Sequence, residues 1–166
     1  MNYFELYNLP VTLQPDAAKV KQQFYQLSRK YHPDFYGQAT ADEQAEILEK
    51  ASQVNQAYKV FQHPEETIKY VLQLKGLLEE EEKYQLSPDF LMEMLDLNER
   101  AMEINSPEDA AQLRTDILNF ENEIYEPVKA IVENYQEDTG TEKELLQVKE
   151  YYYRKKYLKR ILAGLA

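Results

Sequence analysis

Arg29-Lys30-Tyr31-His32-Pro33-Asp34 is a basic helix end that runs into a turn, and its reading decides the fold. Pro33 has no backbone N–H and disfavours α geometry at His32, so the helix before it must stop there. Upstream, Pro15-Asp16 offers a helix start, because Pro suits the first turn and Asp complements the helix dipole. Between these signals Val20, Phe24, Leu27 and Tyr31 fall within about 60° of arc, a narrow stripe that must face a core. The opposite side carries Lys21, Tyr25 and Arg29 in one row, with Lys19 and Lys30 towards its other edge and no acid between Ala17 and Tyr31. A purely basic side reads either as a solvated face or as a surface for an acidic partner.

A polar loop runs on to about Thr40. The next apolar pattern, Leu48, Ala51, Val54, Asn55, Tyr58 and Phe61, has three- and four-residue spacing and predicts a helix over about 41–61. Paired antiparallel with the helix before it, this element leaves His-Pro-Asp at the exposed tip of a helical hairpin. Ahead of the hairpin, residues 2–6 make a short apolar turn that Leu9-Pro10 ends. Behind it, His63-Pro64 opens a shorter helix over 65–74, with Gly76 as its C-terminal cap. His63 is read as a helix-start residue with no further role.

Glu79-Glu80-Glu81-Glu82 reads as a solvated linker or a helix extension. After it, Ser87-Pro88-Asp89 and Ser106-Pro107-Glu108-Asp109 are matched helix starts, and Thr141-Glu142-Lys143-Glu144 is a capping box. They predict three long helices, about 88–104, 107–138 and 142–163. The middle one carries the seam Leu113, Ile117, Phe120, Ile124, Val128, Ile131 and Tyr135, suited to bundle packing, and Pro127 should kink or split it. The expected organisation is therefore a first domain over 1–76, a short acidic linker over 77–86, and a three-helix bundle over 87–166.

Composition supports an all-helical chain. The 166 residues are 43% hydrophobic, enough for a real core, and hold only 4 Gly and 7 Pro. The net charge of −11 argues against general affinity for nucleic acid or anionic membrane. Residues 1–76 carry 8 Lys/Arg against 9 Asp/Glu, whereas 77–166 carry 11 against 21, so the acidity belongs to the second half and the halves should serve different partners. Without cysteine, the chain cannot hold zinc or an iron–sulfur cluster through thiolates of its own, and no metal or cofactor is expected. Met1-Asn2-Tyr3-Phe4-Glu5 does not open a secretory signal, and no apolar run approaches the roughly 20 residues that span a bilayer. The expectation is a soluble intracellular protein. An enzyme using His32 and Asp34 as acid and base is disfavoured, because no nucleophile constellation, phosphate-binding glycine loop or metal-ligand spacing accompanies them.

Two apolar strips occur on the helix from Pro88. Phe90, Met94, Leu97, Ala101 and Ile104 fill an arc of about 80° for packing on the bundle. Leu91, Leu95 and Met92 form a second strip about 100° to 200° around from Phe90, with Glu99 among them and Asp96 at the far edge. This strip reads as a protein-docking surface or as the wide apolar face of a helix with two neighbours. Tyr151, Tyr152 and Tyr153 step 100° each and cannot all enter one core, so at least one lines an edge. Arg154, Lys155, Lys156, Lys159 and Arg160 most simply complement the C-terminal end of the last helix.

A short helix, a helix with a basic outer side, an exposed His-Pro-Asp, and an antiparallel helix reading Val54-Asn55-Gln56-Ala57-Tyr58-Lys59-Val60-Phe61 before His63-Pro64 together resemble the J domain of chaperone co-factors over about residues 1–75. That resemblance implies that His32, Pro33 and Asp34, with Tyr25, Arg29 and Lys30, dock on a heat-shock-class ATPase and promote ATP hydrolysis. Tyr25 and Gln26 stand where generalist J domains often have basic residues, and Thr67 where many have Arg, which implies a dedicated partner. Phe90-Leu91-Met92-Glu93-Met94-Leu95-Asp96-Leu97-Asn98-Glu99-Arg100, close behind a J domain, resembles the HscB-type co-chaperones, Jac-type in mitochondria, that serve iron–sulfur cluster assembly. This second likeness covers nearly the whole chain. It implies a non-catalytic adaptor that binds an IscU-type scaffold protein through Leu91, Met92, Leu95, Asp96, Glu99 and Tyr153 and presents it to an HscA- or DnaK-type ATPase. The alternative gives the bundle another client or self-association. Bacterial cytoplasm is the expected location, with the mitochondrial matrix as alternative.

Overall fold

The structure, a computed structural model, describes residues 1–165. Among them every regular element is helical: α1 (Tyr3–Leu6), α2 (Ala17–Lys30), a 3-10 turn (Pro33–Tyr36), α3 (Ala41–Gln62), α4 (Pro64–Leu74), α5 (Pro88–Met102), α6 (Pro107–Tyr125), a 3-10 turn (Glu126–Val128), α7 (Lys129–Asn134) and α8 (Glu142–Ala163). The chain divides into two compact units. The first holds residues 1–74 and the short segment 134–140, and the second holds 75–133 with 141–165.

In the first unit, α2 and α3 form the hairpin. The Asp16 carboxylate caps α2 by accepting from the Ala18 and Lys19 N–H groups, and Thr40 and Glu43 close a reciprocal capping box on α3. Phe24 meets Tyr58 at 3.9 Å between ring centroids, while the loop end of α2 lies by the start of α3, so the two run antiparallel. The α3 stripe is shifted from its expected position. Val54, Ala57 and Phe61 are buried, but Leu48 and Asn55 are exposed, because both lie about 100° or more around the helix from Val54. The hairpin ends on a small aromatic core: Phe4 and Tyr7 pack on Phe61 at 5.0 and 5.2 Å, and Tyr3 stacks on Tyr70 at 4.5 Å. The buried Tyr7 hydroxyl donates to the Val54 carbonyl at 2.7 Å, and burial holds that phenol well above its ordinary pKa. Thr67 is fully buried and donates to the Val60 carbonyl at 2.8 Å, so it acts as a tie between α3 and α4.

Gly140 also belongs to this unit. A Cβ there would collide with the buried Tyr135 ring and stand 2.9 Å from the Gln136 carbonyl oxygen. Gly140→Ala should therefore cost about 1–3 kcal/mol by overpacking, measurable as a lower urea midpoint. An unchanged midpoint would mean that the 134–140 segment repacks freely.

In the second unit, Ser87 and Ser106 accept from the Phe90 and Asp109 N–H groups to start α5 and α6, and Thr141 with Glu144 closes the capping box of α8. Phe90, Met94, Leu97, Leu113, Ile117, Leu158 and Ile161 form its core. Arg100 on α5 pairs with Asp116 on α6 at 2.8 Å, and this bond, helped by Gln112, lowers the Asp116 pKa. Pro127 divides the predicted 107–138 helix, which passes through the 3-10 turn and stops at Asn134. Past the turn the seam changes register, with Val128 and Val132 buried and Ile131 only partly so.

Candidate functional site

The first candidate site is the tip of the hairpin. His32 is the N-cap of the 3-10 turn, and its Nδ1 accepts from the Asp34 N–H at 3.2 Å. That bond fixes the imidazole orientation and leaves Nε2–H as an outward hydrogen-bond donor. The side chains of His32 and Asp34 are 53% and 86% exposed, and their Nδ1 to Oδ2 distance is 3.6 Å. Pro33, Arg29 and Lys30 are exposed with them, and Tyr25 stands exposed about one turn earlier on the same basic side of α2. The structure thus brings all six sequence-predicted residues to one edge of the hairpin. Between Ala17 and Lys30 that edge carries no acid, so it presents a positive surface to an approaching acidic one.

Three residues that the sequence reading passed over shape this tip. The Tyr36 hydroxyl donates to the Lys30 carbonyl at 2.7 Å, and Gln44 Nε2 donates to the Tyr36 and Ala39 carbonyls at 3.0 and 3.3 Å. These bonds pin both ends of the loop to the helices that flank it. Phe35 is 70% exposed and meets the His32 ring edge-on at 6.0 Å. Periodicity could not flag these residues, since none lies on a core stripe.

The second candidate site is a groove of about 420 Å³ lined by Pro88, Leu91, Met92, Leu95, Asn98 and Tyr157. Leu91, Met92 and Leu95 are 43%, 61% and 52% exposed, while Phe90, Met94 and Leu97 on the other side of α5 are buried. The second apolar strip is therefore left open among the described residues, and it does not serve a second helical neighbour. Asp96 and Glu99 are exposed on the same helix outside the groove lining. Of the three consecutive tyrosines, Tyr151 and Tyr152 are buried and Tyr153 is partly open. Tyr157, one turn beyond Tyr153 on α8, is the aromatic that lines this groove.

Tyr153 instead borders a neighbouring groove built with the segment before α5. The acidic linker is not simply solvated: Leu78 is buried, Tyr84 stacks on Tyr153 at 4.6 Å with rings 6° from parallel, and Glu82 pairs with Lys149 on α8 at 2.6 Å. The Tyr84 hydroxyl bonds the Glu150 carboxylate, which also accepts from Arg154 Nε at 3.0 Å. Burial and then the Glu150 bond push the Tyr84 phenol up to about 12. A like-charge run predicts solvation, but Tyr84 and Lys149 supply partners that the run itself does not reveal. Glu79, Glu80 and Glu81 remain exposed.

The hydrogen bond from Lys149 holds the Glu82 carboxyl below its ordinary range. A lowered folded-state pKa stabilises above the unfolded value of about 4.3 and ceases to do so as pH falls through the folded value. Glu82→Gln should cost about 1 kcal/mol at pH 7, and the difference from wild type should shrink progressively below about pH 4. A pH-independent difference in urea midpoint would show that the ion pair is not the tether.

Among the described residues no group of His, Asp and Glu is placed to hold a metal ion, and no helix is long and apolar enough to cross a membrane.

The sites coincide with matches to known families. Residues 2–70 match the DnaJ domain, and residues 86–166 match the HSCB C-terminal oligomerisation domain. The Co-chaperone protein HscB homolog of Vibrio campbellii is 32% identical over 134 residues, which cover 80% of this chain and 78% of the relative. The human co-chaperone protein HscB crystal structure superposes with a TM-score of 0.82 at 25% identity, covering 99% of this chain and 80% of that one. Chaperone HscB from Vibrio cholerae, at 24% identity, shares the fold with a TM-score of 0.75 over 99% of this chain and 95% of that one. With its J domain, its C-terminal helical bundle and a relative matched over most of both lengths, the chain belongs to the HscB family of co-chaperones.

Proposed function

We propose that this chain is an adaptor in iron–sulfur cluster assembly. Its bundle binds an IscU-type scaffold protein, and its J domain presents that scaffold to an HscA-type heat-shock ATPase and stimulates ATP turnover. The observation that carries the reading is the pairing of two exposed surfaces of different chemistry in one chain: a polar, basic-edged tip at His32-Pro33-Asp34 and an apolar groove at Leu91, Met92 and Leu95. The tip offers charge and hydrogen bonds, suited to a transient contact that must be released each cycle. The groove offers buried area, suited to holding a client through that contact. On this reading the chain's part is binding, and any cluster would be carried by the scaffold. The bacterial relatives favour the cytoplasm as its location.

The direct test is steady-state ATP hydrolysis by an HscA-type chaperone with and without this protein and an IscU-type scaffold. The expected result is at least tenfold stimulation by the protein and scaffold together, with the scaffold retained on the immobilised protein. No stimulation and no retention would reject the assignment. A second reading, self-association through the bundle, is favoured by the description of the matching domain as an oligomerisation domain and by the exposed strip on α5. Sedimentation equilibrium of the protein alone separates the two: a monomer leaves the strip for a client.

A further inference from the structure

The groove beside the proposed client surface has a chemistry of its own. It holds about 560 Å³ between residues 82–86 and α8, and it runs into the apolar groove through Leu91 and Tyr157, which line both. On α8 the sequence Tyr153-Arg154-Lys155-Lys156-Tyr157-Leu158-Lys159-Arg160 places a cation three residues after each aromatic. Lys156 Nζ lies 5.9 Å from the Tyr153 ring centroid, and the Arg160 guanidinium lies 6.0 Å from that of Tyr157. Both cations rest on ring faces at the groove edge, and among the described residues neither makes an ion pair, nor does Lys83 across the groove. In a unit that carries 12 Lys/Arg against 19 Asp/Glu, a net charge of −7, three cations without carboxylate partners gather around one groove. The one acid in the lining, Glu82, is neutralised by Lys149. The walls are also fixed in advance, since Tyr84 is stacked on Tyr153 and bonded to Glu150.

We propose that this groove receives an extended acidic segment of the same scaffold protein that seats on Leu91, Met92 and Leu95, an extension that rests on the function proposed above. A body covering the apolar strip also covers Tyr157 and brings Lys156 and Arg160 out of water. Covering a cation costs free energy unless an anion meets it, so the face presented to these two side chains must carry carboxylates. The groove's continuity with the leucine strip through Leu91 and Tyr157 sets the direction of such a segment.

The test is the affinity of the full-length protein for the purified scaffold by calorimetry at 50 and 300 mM NaCl. Lys156→Glu/Arg160→Glu should raise Kd at least tenfold at 50 mM and lose most of the wild-type salt dependence, with Lys156→Gln/Arg160→Gln falling between. Lys129→Glu/Lys143→Glu, an equal change of net charge at exposed positions outside the groove, should change Kd less than threefold. Wild-type affinity in the groove variants, or an equal loss in the control pair, overturns the proposal while leaving the scaffold-binding function standing. Absence of binding by the wild-type protein overturns both.

Discussion

His32→Gln should abolish stimulation of the partner ATPase, a loss of at least tenfold, while scaffold binding and the unfolding midpoint stay at wild-type values. The side chain is half exposed and its one hydrogen bond, from the Asp34 N–H to Nδ1, closes the local turn and makes no core contact. Substitutions at such surface positions usually change stability by no more than about 0.5 kcal/mol. Glutamine can still accept from the Asp34 N–H through its amide oxygen, so the turn survives. It cannot offer Nε2–H from a rigid ring whose face is set edge-on to Phe35. Losing one well-placed polar contact in a docked interface costs about 2–5 kcal/mol, roughly 30-fold to over 10³-fold in affinity. Asp34→Asn should behave alike, because its carboxylate is almost fully exposed and is held in place by no helix ladder. Stimulation within twofold of wild type in both variants, with scaffold still bound, would remove the hairpin tip from the mechanism.

The two sites were legible to different degrees, for physical reasons. The hairpin tip is local: Pro33 stops α2, and everything that matters for the turn lies between Tyr25 and Gln44, so spacing and helix-stop chemistry locate it. Its bracing was less visible, since Gln44 acts through backbone carbonyls and leaves no periodic signature. The Thr40–Glu43 capping box carries the same sequence pattern as the Thr141–Glu144 box, at the loop's junction with α3. On α5 the wheel separated the buried Phe90 side from the Leu91 strip, but a wheel cannot tell an open strip from one covered by a neighbour. That depends on where α6, α8 and residues 75–86 come to lie. The same limit explains Tyr157, whose approach to Leu91 joins positions 66 residues apart. Charge patterning fits the exposed Glu79, Glu80 and Glu81 but cannot reveal the ties of Glu82 and Tyr84, since Lys149, Glu150 and Tyr153 sit on α8, the fourth helix after the linker.

Leu91→Ala/Met92→Ala/Leu95→Ala should weaken scaffold binding by at least 10²-fold and leave the J domain's own action on the ATPase intact. The three side chains project from the side of α5 opposite Phe90, Met94 and Leu97, so truncating them opens no cavity in the core. Alanine is also the best helix former, and α5 keeps its Ser87 cap, so the helix should be as stable as before. What disappears is apolar area available to a partner. At about 25 cal/mol per Å², burying the exposed part of each side chain contributes roughly 1–2 kcal/mol, hence about 3–5 kcal/mol for three adjacent residues. That range corresponds to some 10²-fold to several thousandfold in Kd. Asp96→Asn and Glu99→Gln, on the rim outside the groove, should cost far less and act mainly on the association rate at low salt. The triple variant also separates the client reading from self-association. A monomeric wild type whose triple variant no longer holds scaffold assigns the strip to the client. If the triple variant retains wild-type scaffold affinity and instead dissociates a wild-type oligomer, the strip belongs to a second copy of the chain, and the scaffold must bind elsewhere.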